Sequence, residues 1–320
     1  MQRATEQAPP ARATLILAFS AVYLIWGSTY LAIRIGLGSL PPFFLMGMRS
    51  LAAGSLLYAW GRLREGARPS PIHWRTSLLI GALFFLGGHG GLSWGETRVP
   101  SGAAALVIAG MPIWMILLGG REAGSPFRTV TAILLGICGV AVLAGPASIL
   151  GSGGVDPVAT IVLVLASLSW AAASVLSRRV ARPDSNVLAT GMDLLAGGAL
   201  LCVGSILRGE PASIGPGSVT FSAVAALLYL ILFGSVVALT AYTWLLRKTT
   251  LQRASSYVYV NPVVAVIIGW ALGGEALTAR VAAAAALLIL SVVLIMTEPA
   301  SQRRAAHRED LEPARAEARC

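Results

Sequence analysis

Ser256-Tyr257-Val258-Tyr259-Val260-Asn261-Pro262-Val263-Val264 forms the middle of an apolar run that continues through Gly269 and Trp270 to Glu275. The run is long enough to cross a bilayer. Pro262 removes a backbone donor from it and crowds the carbonyl of the previous turn. In lipid such a break persists only where protein or a water-filled cavity satisfies the freed groups. Asn261 stands beside the break, and Tyr257 lies one turn earlier on the same face. A second run has the same layout, from Ser101-Gly102 through Gly110-Met111-Pro112-Ile113-Trp114 to Gly119. Pro112 and Pro262 are 150 positions apart, and Trp94 and Trp244 share that spacing. Helices broken at matching places in two halves of a membrane chain point to a substrate cavity between the halves. The plain alternative is a pair of kinks that serve packing.

The composition agrees with a chain that lives in lipid. Of 320 residues, 56% are hydrophobic and 12% charged, whereas a soluble domain carries about 25% charged residues. The net charge of +10 does not mark a nucleic-acid binder, because the basic residues sit mostly in short loops between apolar runs. Three cysteines make no disulfide framework, and Cys138 and Cys202 lie inside apolar runs. The first apolar run is too long for a signal-peptide core, so it reads as a retained span.

Ten spans are expected: 13–35, 41–60, 74–94, 100–119, 128–147, 155–176, 187–207, 221–246, 254–272 and 280–297. Residues 1–12 form a polar tail, and 298–320 form a charged tail of disordered composition. The loops and tails on the side of both termini hold 19 Arg and Lys; the other side holds Arg34, Arg98, Arg208 and Arg280. The positive-inside rule then places both termini in the cytoplasm. An internal repeat runs through the chain: Gly47-Met48-Arg49 to Leu57 aligns with Gly191-Met192-Asp193 to Leu201, offset by 144, and Trp26 and Trp170 share the offset. Five spans per half is an odd number, so the second half enters from the opposite face. The expected fold is all-α and integral to the membrane: ten transmembrane helices in two inverted five-helix repeats around a central cavity.

Several motifs follow one another in order: Trp26-Gly27-Ser28-Thr29-Tyr30, Met48-Arg49-Ser50, Trp94-Gly95-Glu96 with Val99-Pro100-Ser101-Gly102, Leu168-Ser169-Trp170, and Tyr259-Val260-Asn261-Pro262 ending in Gly274-Glu275. Together they resemble the EamA-type family of the drug/metabolite transporter superfamily. The likeness spans about Leu17 to Thr297. It implies EamA-type repeats at 13–147 and 155–297 and an inner-membrane carrier, often an exporter of amino acids, metabolites or drugs. Asp193 departs from it, standing where an uncharged polar residue is usual, and His89 stands where an amide is common.

Each candidate residue carries two readings. Arg49, halfway along the second span, can grip an anionic substrate group or clamp backbone carbonyls at a helix break. Asp193 can carry a proton or be a satisfied polar group. The two are equivalent positions of the repeat, and a direct or water-bridged contact between them is expected. His89, set among Gly87, Gly88, Gly90 and Gly91, suits proton coupling or a close-packed, hydrogen-bonded role. Tyr23, Trp26 and Tyr30 share one face of the first span and can line a path, with Tyr30 equally suited to an interface anchor. Trp60 and Trp74 read as anchors. Gly81, Gly88 and Gly95 form a close-contact stripe. Glu96, Glu122 and Glu275 read as caps. The expected path is lined by Trp26, Tyr30, Arg49, His89, Trp94, Asp193, Tyr257 and Asn261, with breaks at Pro112 and Pro262.

The chain has no phosphate-binding GxxxxGK[ST] loop, metal-ligand cluster or nucleophile elbow. It reads as a non-enzyme without cofactor or metal. Its partners are a small-molecule substrate, possible coupling protons and the lipid bilayer. No span contains Lys, which disfavours highly anionic cargo such as nucleotide sugars. The rival readings are a passive facilitator or importer of the same fold, a lipid-acting intramembrane enzyme, and a membrane scaffold.

Overall fold

The computed structural model describes residues 11–66, 68–98, 107–108, 110–119, 126–144, 156–215, 217–273 and 279–296. Among these, every regular element is helical. In hydrocarbon a helix satisfies its own backbone groups, which suits so apolar a chain. Helix α1 spans Arg12–Leu37 and α2 spans Pro42–Leu63. Helix α3 begins as Pro71–Gly81, widens to a π-helix over Ala82–Gly90 and resumes as Gly91–Glu96. Then follow α4 (Met111–Gly119), α5 (Pro126–Ala144), α6 (Pro157–Leu176) and α7 (Asn186–Leu207). Helix α8 begins as Phe221–Tyr229, passes through a π-helix at Leu230–Val237 and ends as Ala238–Lys248. The last elements are α9 (Leu251–Ala254), α10 (Tyr257–Gly273) and α11 (Ala279–Met296).

Five of these helices are long and apolar enough to cross a membrane: α1, α3, α6, α7 and α8. Shorter apolar helices lie within α5 and α11. Large apolar side chains cover the outside, with Ile16 65%, Leu17 70% and Phe221 89% exposed. Such a surface belongs against lipid. The protein is a multi-pass membrane protein.

The packing is reciprocal between the two halves. Helix α1 packs on α8 and α10, while α6 packs on α3 and α4; α2 crosses α7, and α5 crosses α11. At the α2–α7 crossing a Cβ on Gly54 would lie 2.8 Å from the Leu195 nitrogen, and one on Gly198 would lie 2.8 Å from the Leu51 nitrogen. Gly54 and Gly198 are 144 apart, as are Leu51 and Leu195. Each helix therefore presents to the other the same small-residue surface, and the backbones approach where side chains would hold them apart. Gly81 of the α3 stripe is equally close to α7: an added Cβ would meet the Asp193 carbonyl and the Gly197 nitrogen, each at 2.7 Å.

A carboxylate caps one end of this crossing. Pro42 opens α2 without an N–H to satisfy. The next two donors, of Phe44 and Phe43, meet Glu210 oxygens at 2.8 and 3.4 Å. The Ser205 hydroxyl donates to the same carboxylate at 2.8 Å. Glu210 thus ties the start of α2 to the end of α7.

The irregular backbone is not where the prolines suggest. Helix α10 continues through Pro262, and the interruption lies at the Ser255-Ser256 turn between α9 and α10. Pro112 is the second residue of α4, after a turn at Gly110. A proline in the first turn withdraws a donor that had no partner in the helix. The mid-helix irregularities are instead the π-segments of α3 and α8. Such segments, often found at functional sites, hold Gly87-Gly88-His89 in one half and Gly234-Ser235 in the other.

Candidate functional site

A cavity of about 100 Å³ opens between the helices that carry these π-segments. A water needs roughly 10–15 Å³ of such space, so the cavity holds several waters or the polar part of a small molecule. Helix α1 contributes Trp26, Thr29 and Ile33, and α2 contributes Met46 and Arg49. Helix α3 adds Gly88 and His89, α6 adds Trp170, and α10 adds Tyr257 and Asn261.

Arg49 is buried, with 4% of its surface exposed. Its Nε donates to the Ser235 hydroxyl at 2.7 Å, and Nη1 approaches the Met46 sulfur at 3.9 Å. No carboxylate lies within ion-pair distance of it among the described residues. The π-segment of α8 makes room for the guanidinium: a Cβ on Gly234 would lie 3.1 Å from Arg49 Nη2. The Trp26 indole N–H donates to the carbonyl of the same Gly234 at 3.0 Å. One irregular turn therefore positions both the cavity's cation and its central aromatic ring.

The cavity floor is aromatic. Trp26 contacts Tyr257, Tyr242 and Trp170 with ring centroids 4.8, 5.1 and 5.8 Å apart. The Trp170 indole N–H donates to the Tyr242 oxygen at 3.2 Å, and Tyr242 exchanges a hydrogen bond with Ser174 at 2.8 Å. His89 packs against Trp170 at 5.0 Å, and its Nδ1 is buried without a hydrogen-bond partner. Asn261 Oδ1 is likewise buried without one. Buried polar atoms are ordinarily satisfied, so two orphans in one cavity wall mark a place for a ligand or water.

Sequence reasoning and structure part over two residues, Asp193 and Trp94. Asp193 lies outside the cavity. Its Oδ2 binds Arg182 Nη2 at 2.5 Å, and the Ser77 hydroxyl also reaches the carboxylate. The expected Arg49–Asp193 contact is thereby corrected: Arg49 turns to Ser235, and a cation from the α6–α7 connection claims Asp193. Trp94 is absent from the cavity wall; it packs with Ala159 and Leu163 and carries the Arg98 guanidinium over its ring at 4.7 Å. The Tyr30 side chain lies outside the described residues, as do the side chains of Pro262, Glu96, Glu122 and Glu275. Trp26, Arg49, His89, Tyr257 and Asn261 are the expected residues that the fold brings together.

Trp170, Thr29, Met46 and Ser235 also shape the site and are not among the expected path residues. The 144-residue spacing from Trp26 pointed to Trp170. For Ser235 the only signal was Gly234-Ser235 lying 147 positions after Gly87-Gly88.

Comparison with known proteins bears on the whole arrangement. The EamA-like transporter family matches residues 13–145 and 158–297. YedA of Escherichia coli K12, described as an uncharacterized inner membrane transporter, is 38% identical over 281 residues, which is 87% of this chain and 89% of that protein. The chloroplastic WAT1-related protein At3g02690 of Arabidopsis thaliana is 27% identical across 85% of this chain and 67% of its own length. A solved crystal structure superposes with a TM-score of 0.69 at 23% identity, covering 89% of this chain and 97% of that one. At that identity the likeness speaks for the fold.

Proposed function

The chain belongs to the EamA-like transporter family, and from that premise we propose that it is a secondary carrier of the inner membrane that exports small metabolites, amino acids or drug-like compounds by alternating access. In this reading ten spans form two inverted five-helix repeats, with both termini in the cytoplasm. The reciprocal glycine contacts of α2 and α7 and the paired π-segments of α3 and α8 support the inversion. The Arg and Lys count favours the orientation. Trp26, Arg49, His89, Tyr257 and Asn261 contact the cargo, and the aromatic floor closes the path toward the basic end.

One observation carries the proposal. Arg49 is a buried charge that faces a cavity and has no carboxylate partner among the described residues. Intramembrane charge without such a partner is costly and marks a transport path. Reconstituted in liposomes, the protein is expected to exchange radiolabelled substrate, and Asn261→Ala is expected to slow exchange while the purified protein stays monodisperse. Unchanged exchange by Asn261→Ala would remove that residue from the path.

A further inference from the structure

A second concavity lies at the other end of α1. It has a volume of about 960 Å³ and is lined by Arg12, Arg178, Arg247, Lys248 and Arg253, together with Thr249 and Thr250. Its described lining holds five cations and no Asp or Glu. Arg247 is fixed in place by donating to the carbonyls of Asp184 and Pro183 at 3.0 and 3.2 Å. Tyr23 lines this groove, and Trp26, one turn further along α1, lines the inner cavity. Between the two spaces stands the aromatic floor, pinned on the groove side by a 2.6 Å hydrogen bond between the Tyr23 and Ser256 hydroxyls. The groove and the cavity therefore lie one after the other along a single helix.

The charges of the two spaces agree. The cavity wall contributes Arg49 and no acidic residue among those described. A basic groove concentrates anions at its mouth and repels cations. The guanidinium then offers a fork that matches a carboxylate. Two of the neutral polar side chains on the wall present buried atoms without a hydrogen-bond partner. Asn261 Oδ1 calls for a donor, and His89 Nδ1 takes either role according to its tautomer. An ammonium group would supply a donor, but with the cargo's own carboxylate paired to Arg49 the described wall offers no second carboxylate to balance it. A hydroxyl or an amide N–H supplies the same donor without the charge. Trp26, Trp170 and Tyr257 supply flat apolar walls for the rest of the molecule.

Resting on the carrier reading above, we infer that the preferred cargo is an organic monocarboxylate whose second polar group is a neutral donor. It is a hydroxy acid or an N-acylated amino acid with an aromatic or aliphatic body. Its carboxylate binds Arg49, its hydroxyl or amide N–H binds Asn261, and its body lies against Trp26 and Tyr257. The basic groove supplies the long-range attraction and contributes nothing to the final grip.

The test is transport by proteoliposomes of neutral lipid (phosphatidylcholine and phosphatidylethanolamine), so that acidic lipid does not mask the groove. Four probes share one body and differ in charge: 3-phenyllactate, N-acetylphenylalanine, phenylalanine and phenylalaninamide. The two net anions are expected to be exchanged with the lowest KM, phenylalanine with a KM several-fold higher, and the amide not at all. Arg49→Gln is expected to abolish exchange of the anions, and Arg49→Lys to retain part of it. Arg12→Gln with Lys248→Gln is expected to raise KM several-fold at low salt, leave kcat unchanged and lose its effect at high salt. Exchange of phenylalanine or its amide at equal or lower KM than phenyllactate would overturn the inference and leave the carrier reading standing. Absence of exchange for all four probes by monodisperse protein would overturn both.

Discussion

Positions 49 and 193 occupy the same place in the repeat and solve the problem of a buried charge in opposite ways. Arg49 faces a cavity, is steadied by a neutral hydroxyl and keeps its charge available. Asp193 is paired with Arg182 and does not line that cavity. The same comparison recurs at the helix ends. Arg12 begins α1, whereas Asp156, 144 residues later, caps α6. The repeat preserves backbone approach, through Gly47, Gly54, Gly191 and Gly198, and leaves the charges free to diverge. In the inverted arrangement proposed above equivalent residues lie at opposite depths, so the divergence lets one face be basic while residues of both halves line the cavity.

The sharpest way to break this comparison is to remove the partner of each charge. Arg182→Gln strands the Asp193 carboxylate in a dry site. Removing one member of a buried pair costs about 3–5 kcal/mol. The thermal midpoint of Arg182→Gln in detergent should therefore fall steeply, and Asp193→Asn added to it should recover much of the loss. Arg49→Gln with Asp193→Asn should instead show losses that add, because the two residues share no partner. Recovery in that second double mutant, with none in the first, would reunite Arg49 with Asp193 and remove the division of labour.

A smaller effect separates the symmetric backbone from the asymmetric site. Gly198→Ala drives a Cβ to 2.8 Å from the Leu51 nitrogen, where only a backbone shift relieves it. Overpacking of that kind costs about 1–3 kcal/mol. Gly234→Ala meets the Arg49 Nη2 atom at 3.1 Å, the far end of a flexible side chain, and the Thr29 Cγ2 atom at 3.2 Å, with no backbone atom in the way. It should lower the thermal midpoint less than Gly198→Ala and weaken substrate binding by displacing the guanidinium. Equal destabilisation by the two substitutions would mean that Gly234 serves packing alone.

How much of this was legible in the sequence differs from element to element. The start of α8 at Phe221 and the end of α6 at Leu176 coincide with the expected bounds. Hydrophobic length and loop charge specify such elements locally. The glycine stripe of α3 also reads directly, because only close backbones need it. The π-segments do not. A π-turn at Ala82–Gly90 or Leu230–Val237 replaces one set of internal hydrogen bonds by another, and its residues are mostly apolar like their neighbours. The proline signal was misleading for a related reason: Pro112 falls in a first turn, where its cost disappears. Asp193 was misplaced because its partner, Arg182, stands in a stretch that reads as an ordinary basic loop. Only the folded chain brings the loop over α7.

The smallest expected effect is at the other pair of equivalent positions. The Asp156 carboxylate accepts hydrogen bonds from the Val158 and Ala159 amides at 2.9 and 3.2 Å, and Arg98 lies 3.4 Å away. The Ala159 amide, with that of Val158 and the Arg98 charge, holds this carboxyl below its ordinary range. These donors are the orphan N–H groups of a helix start, and an ionised acceptor suits them best. A folded-state pKa below the unfolded one gives a contribution that is fully present above the unfolded value, about 3.9 for Asp. That contribution is lost as pH falls through the lowered folded value. Asp156→Ala should thus lower the thermal midpoint by a small, constant amount from neutral pH down to about 5, a pH above the unfolded value. The gap between mutant and parent should close in more acidic buffer. Arg12→Ala, at the equivalent start of α1, has no side-chain cap to lose and should show no such gap to close. A gap at Asp156 that persisted unchanged into strong acid would mean that the residue acts through its neutral side chain, and the charge contrast between the two helix starts would then have no energetic content.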